Sequence, residues 1–104
     1  MIAILASPAR LALKMDGHAN AMRNEQDHDL VCCAASILLQ TMIRSCQLYP
    51  GITVEGNAAM GKADILLKHK NTAEEAAKHR YQMTLDGLEM LAKTYPQSVW
   101  INYE

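Results

Sequence analysis

The alternation of apolar and polar positions divides the chain into seven elements. Ile2 to Ala6 is an apolar run of strand length, and Ser7-Pro8-Ala9-Arg10 turns it into a second strand over Leu11 to Met15. Asp16-Gly17 breaks that pattern, and Asn20 to His28 is polar without periodicity, which predicts a loop. Leu30 to Cys46 is apolar around most of a helical circumference, and a helix of that kind is largely buried. Asp29 precedes it as N-cap, its carboxylate accepting from the unpaired first-turn N–H groups, and Tyr49-Pro50-Gly51 ends it. Ile52-Thr53-Val54 and Ala63 to Lys68 predict strands on either side of a turn over Gly56 to Gly61.

Thr72-Ala73-Glu74-Glu75 has the spacing of a capping box, with Thr72 as cap and Glu75 reaching back to it. In the helix that follows, Ala77, Tyr81, Leu85, Leu88, Leu91 and Tyr95 recur at helical spacing, and Pro96 lies just past the end. Gly87 inside it costs about 1 kcal/mol relative to Ala, which predicts a neighbour approaching closely. Ser98 to Tyr103 makes a final strand. The order β-β-α-β-β-α-β predicts an α+β domain, an antiparallel-dominated mixed sheet with two helices packed on it.

Length sets one domain over residues 1–104, large enough to bury a core without disulfide or metal support. With no Phe and seven Met, that core is built from Leu, Ile, Ala and Met. A net charge of −1, with Lys68-His69-Lys70 as the densest basic stretch, argues against direct nucleic-acid binding. The apolar runs fall short of a membrane span, and Met1 to Ser7 lacks the basic start of a signal peptide. Three cysteines, two of them adjacent, make no disulfide framework, so a reducing, cytoplasmic compartment is expected.

The candidate chemistry is concentrated in His18, His28, Cys32 and Cys33. With Asp29 as cap, Cys32 is the third helical residue, where unpaired N–H groups and the positive end of the helix dipole favour an anion. A thiolate there has a depressed pKa, and a nearby imidazolium lowers it further. Such a pair is an activated nucleophile with a proton carrier, and the same N–H groups suit an oxyanion. The simpler readings are a buried apolar cysteine, a loop histidine bonded to backbone, and an Asp29 that only caps.

Gly17-His18-Ala19, a loop, and then Asp29-Leu30-Val31-Cys32-Cys33-Ala34-Ala35-Ser36 resembles the ribosomal-processing cysteine protease (Prp, YsxB-like) family. That family has Gly-His-Ala followed by Asp-Ile-Val-Cys-Ala-Ala-Val-Ser at a helix start, and the likeness runs through the late Leu-rich helix ending near Tyr95-Pro96. The resemblance implies a thiol endopeptidase that removes the N-terminal extension of a large-subunit ribosomal protein (ribosomal protein twenty-seven of the large subunit) before ribosome assembly. It implies Cys32 as nucleophile and His18 as general base, without cofactor or metal, in a homodimer. Gly17 and Ala19 then shape the turn presenting His18, and Asp29 and Ser36 match the polar positions beside the cysteine. The resemblance also implies that Asn20, Met22, Arg23 and His28 belong to a loop that meets substrate.

The chain departs from the pattern at Cys33, where the family usually has Ala, at Ala35 in place of Val, and in a longer loop with Asp27-His28 before the Asp. Helical periodicity puts Cys33 on a polar stripe with Ser36, Gln40, Arg44 and Gln47, and Cys32 at the edge of the apolar face. By periodicity alone Cys33 is the more exposed thiol; the resemblance selects Cys32. Cys46, on the apolar side, is expected to be inert core. Three rival functions are a zinc or redox site on His18, His28, Cys32 and Cys33, a non-catalytic peptide-binding or assembly module, and a prophage-borne protease trimming capsid or scaffold proteins. Adjacent helical cysteines diverge by about 100°, which poorly suits tetrahedral zinc.

Overall fold

A computed structural model describes residues 1–17, 30–59 and 61–104. Five strands, β1 (Ile2–Ser7), β2 (Ala12–Gly17), β3 (Ile52–Ala59), β4 (Lys62–His69) and β5 (Val99–Tyr103), form one sheet in the order β3-β4-β2-β1-β5. All neighbours are antiparallel except β5, which lies parallel to β1 and is delivered there by the crossover helix. The helices are α1 (Leu30–Gln47) and α2 (Glu74–Thr94). The α+β class and the element order match the sequence-based expectation.

Period-two alternation decides which sheet face is covered. Ile2, Ile4 and Ala6 of β1, Leu13 and Met15 of β2, Ala63, Ile65 and Leu67 of β4, and Val99 of β5 are all buried on one side. Against them pack Val31, Ala35, Leu39, Met42 and Cys46 of α1 and Ala77, Tyr81, Leu85 and Leu88 of α2. The opposite sheet face is open, and there Lys14 stands beside Asp64 and Asp16 beside Lys62 in register. By length and composition α1 could cross a membrane, contrary to the expectation that no segment reaches that threshold. Its buried residues instead form part of the shared core.

Two contacts set α1 against α2. Gly87 lets Leu38 approach so closely that an added Cβ would meet its Cδ2 at 2.8 Å, which explains a glycine inside α2. Near the other end, Arg80 donates to Ser45 Oγ (2.8 Å) and to the Ala76 carbonyl (3.2 Å), with its guanidinium 4.5 Å from the Tyr49 ring centre.

Four local expectations need correction. Leu11 is not in β2: it takes a left-handed conformation (φ 55°) after a 3-10 turn over Pro8–Arg10, and its N–H donates to the Pro8 carbonyl. Asp16-Gly17 does not break the strand, because Asp16 pairs with Ala3 and Lys62 while Gly17 pairs with Ile2. Gly56 is within β3, opposite Ile65, so the hairpin closes later, at Ala59 and Lys62. Thr72 is not a cap: Asn71–Ala73 forms a 3-10 turn running straight into α2, whose Ala73 cap makes no side-chain bond.

Tyr81 is 1 % exposed and donates its hydroxyl to the Ala12 carbonyl at 2.7 Å, tying α2 to the start of β2. Burial pushes its pKa up to about 12, whereas the unfolded chain ionises near 10. The folded state therefore holds this proton more tightly, and stability falls as pH rises from 10 towards 12 by about 1.4 kcal/mol per pH unit. Urea unfolding across this range should show that slope, and Tyr81→Phe should reduce it. Gly17 offers a second test. Its φ is 107°, and an added Cβ would collide with the Met1 carbonyl, so Gly17→Ala should lower unfolding free energy by about 2–4 kcal/mol.

Candidate active site

The first turn of α1 is the natural place to begin, because its N–H groups have no intrahelical acceptors. The helix starts at Leu30, so Cys32 occupies the third helical position, as its spacing predicts. No carboxylate lies in this turn among the described residues, so nothing described there opposes an anion. The three cysteines are all thiols, without disulfide bonds.

Their environments differ sharply. Cys32 is 1 % exposed, Cys33 is exposed, and Cys46 is 0 % exposed. The periodicity-based expectation that Cys33 is the more accessible thiol therefore holds. Burial pushes the Cys46 thiol up, with the Arg80 guanidinium pulling weakly the other way, which fits an unreactive core residue. Ser36 follows Cys32 by one helical turn and is half-buried, while Gln40, Arg44 and Gln47 continue the polar stripe outward.

Gly17 ends β2 and is held from both sides. It pairs with Ile2 of β1, and its N–H donates to the Gly61 carbonyl at 2.8 Å. This rigid strand end immediately precedes His18 in the chain. From the sequence the buried Gly61 was read only as the end of a turn; its role here comes from a pairing between positions 44 apart in the chain, and a glycine at a strand end is the faint signal that marks it. His18, Ala19, Asn20, Met22, Arg23, His28 and Asp29 lie outside the described residues, and so does the expected cap. Among the described residues no group of three His, Cys, Asp or Glu side chains is placed to hold a metal ion; the zinc reading also needs His18 and His28, outside that set.

Comparison with known proteins fits this frame. A ribosomal processing protease Prp from Staphylococcus aureus, solved with a covalently linked product peptide, superposes with a TM-score of 0.79 at 22 % identity, covering 100 % of both chains. The same protease with a substrate peptide gives 0.75 at 20 % identity, again over both whole chains. The protein SMU.848 from Streptococcus mutans gives 0.69 at 18 % identity, covering 98 % of this chain and 90 % of its own. At such identities the likeness is one of fold. No curated protein matches the chain in sequence. The family model for the cysteine protease Prp, however, matches residues 6–100. A protein with a reduced cysteine in the opening turn of a core helix is thereby placed among the cysteine proteases. Within that class, the chain belongs to the Prp family.

The exposure contrast is directly measurable. Iodoacetamide at about pH 8 should modify Cys33 in the folded protein, with Cys46 at least about a hundredfold slower until the chain is unfolded. Peptide mapping of the alkylated protein reads both rates.

Proposed function

We propose that this protein is an endopeptidase that removes the N-terminal extension of ribosomal protein twenty-seven of the large subunit, with Cys32 as nucleophile and His18 as general base. The observation that carries the reading is the family match over residues 6–100 combined with a cysteine at the third position of α1. The Staphylococcus aureus relatives, ribosomal processing proteases with substrate or product peptide bound, support the substrate class.

The chemistry follows from the helix start. The Cys32 thiolate, favoured by the first-turn N–H groups, adds to the scissile carbonyl carbon, and the carbonyl π electrons move onto oxygen. First-turn N–H groups are suited to hold that oxyanion. As the oxyanion collapses, the C–N bond breaks, and His18 in its protonated form gives its proton to the leaving amine. Neutral His18 then takes a proton from water, whose oxygen attacks the thioester and returns the thiolate and a free carboxylate product.

With 1 % exposure, the Cys32 sulfur meets no carbonyl as it stands, so this reading requires substrate binding to open the surroundings of the first turn. Accessibility favours a second reading, in which the exposed Cys33 is the reacting thiol. The family motif favours Cys32, since Cys33 stands where the family usually has Ala. Action on a ribosomal precursor places the enzyme in the cytoplasm, where its thiols stay reduced, and we assign it as a homodimer.

Incubation with a peptide spanning such an extension and its junction separates these readings. Cys32→Ser and His18→Ala should each lower cleavage at least about a thousandfold, while Cys33→Ala should retain most of it. Loss of cleavage in Cys33→Ala with retention in Cys32→Ser transfers the nucleophile to Cys33. An intact, tightly held peptide in every variant indicates a binding module.

A further inference from the structure

β3 is an edge strand, with β4 on one side and no described strand on the other. It is eight residues long, Ile52–Ala59, and holds neither proline nor lysine. Natural edges are usually short, charged or broken, because a free edge is a template for another strand. Glu55, the single charge of β3, is paired with Lys68 at 3.1 Å. The opposite edge, β5, has five residues and lies against α2. Antiparallel pairing lets only alternate residues bond a given neighbour. The Lys70 N–H donates to the Gly51 carbonyl, so Thr53, Glu55, Asn57 and Ala59 continue that bonded set with Lys68, Leu66, Asp64 and Lys62. Val54 and Ala58 fall between them and turn their N–H and C=O groups to the open edge, where no described residue meets them.

This edge leads to the candidate active site. Register places Ala59 beside Lys62 and Lys62 beside Asp16, so β3 ends where Gly17 leads to His18 in the chain. α1 packs against β3 and runs the opposite way, its last turn coming just before Ile52. Along the helix axis Cys32 is about 21 Å from Cys46, and along the strand Ala58 is about 20 Å from Ile52, which brings Cys32 level with Ala58. Around the axis, Cys32 and Ile43 are about 120–160° from Leu38 and Ser45, the residues that meet α2. They therefore occupy the flank of α1 turned away from α2.

We propose that the substrate peptide, on one side of its scissile bond, adds to the β3 edge as a further strand, which carries that bond to the opening turn of α1. This rests on the peptidase reading with Cys32 as nucleophile. Val54 and Ala58 exchange main-chain hydrogen bonds with alternate peptide residues, which sets the register whatever the side chains are. On the helix side of the edge, the half-buried Ile43, Val54 and Ala58 take apolar side chains at every second peptide position.

Hydrogen exchange and a scan of N-methylated peptides test this together, using the peptide of the cleavage assay. In free Cys32→Ala protein, the Val54 and Ala58 amides should exchange at least about tenfold faster than those of Glu55 and Asn57. With peptide at saturation both should slow at least about tenfold, while the β5 amides stay unchanged. In the unsubstituted enzyme, N-methylating the peptide one amide at a time, away from the scissile bond, should lower kcat/KM about tenfold at alternate positions and little between them. Cleavage without edge protection, or losses lacking a two-residue period, overturns strand addition and leaves the peptidase reading standing. Edge amides already protected in a dimer of the free protein overturn it too, in favour of a second copy at this edge. Edge protection without cleavage by the unsubstituted enzyme supports the docking edge and removes the peptidase. Absence of both binding and cleavage removes both.

Discussion

The structure depends on how one face of α1 is buried. Val31, Cys32, Ala35, Leu39, Met42 and Cys46 lie at helical intervals and are all withdrawn from water, so the rotation of this helix about its axis is set by apolar burial. Once that rotation is fixed, neighbouring residues in the opening turn have no freedom to exchange roles. Cys32 faces inward, Cys33 faces solvent, and Ser36 falls at the boundary. A rotation by one residue position would exchange the environments of the two thiols and expose part of the core stripe.

Close backbone approach locks the frame on which this helix rests. Gly17 and Gly56 both take positive φ values next to carbonyl groups, those of Met1 and Asp64, where any side chain would collide. Gly87 plays a different part, admitting Leu38 and so setting the separation of the two helices. Arg80 joins the C-terminal part of α1 to α2 through Ser45 and Tyr49. The helix is thus anchored along its length and at its far end, which leaves its opening turn as the place where backbone N–H groups remain to be satisfied by something other than the helix.

Burial and reactivity pull in opposite directions at that turn. Removing a thiol from water disfavours its ionised form, while helix N–H groups favour it. Cys46 illustrates the first effect alone: it is sealed in the core and its pKa is raised. Cys32 is as deeply buried but stands at the helix start, where both effects act.

Much of this was legible in one dimension. The seven elements in order, the α+β class, the third-position cysteine of α1, the more exposed Cys33 and the close approach at Gly87 all follow from periodicity, helix-start signals and residue size, which are local properties. What escaped were features set by partners distant in the chain: β2 continuing through Gly17 because β1 and β4 hold it, and Gly56 sitting within a strand because Ile65 faces it. The 3-10 turn that displaced Thr72 from a capping role escaped for another reason, since a cap's spacing is readable while its backbone angles are not. The near-complete burial of Cys32 was also beyond reach, since periodicity put it only at the edge of the apolar face. Sequence by itself determined which chemistry is available and on which helix it stands. Tertiary structure alone decided how completely the Cys32 sulfur is withdrawn from water, because burial depends on what packs against a helix as well as on its own residues.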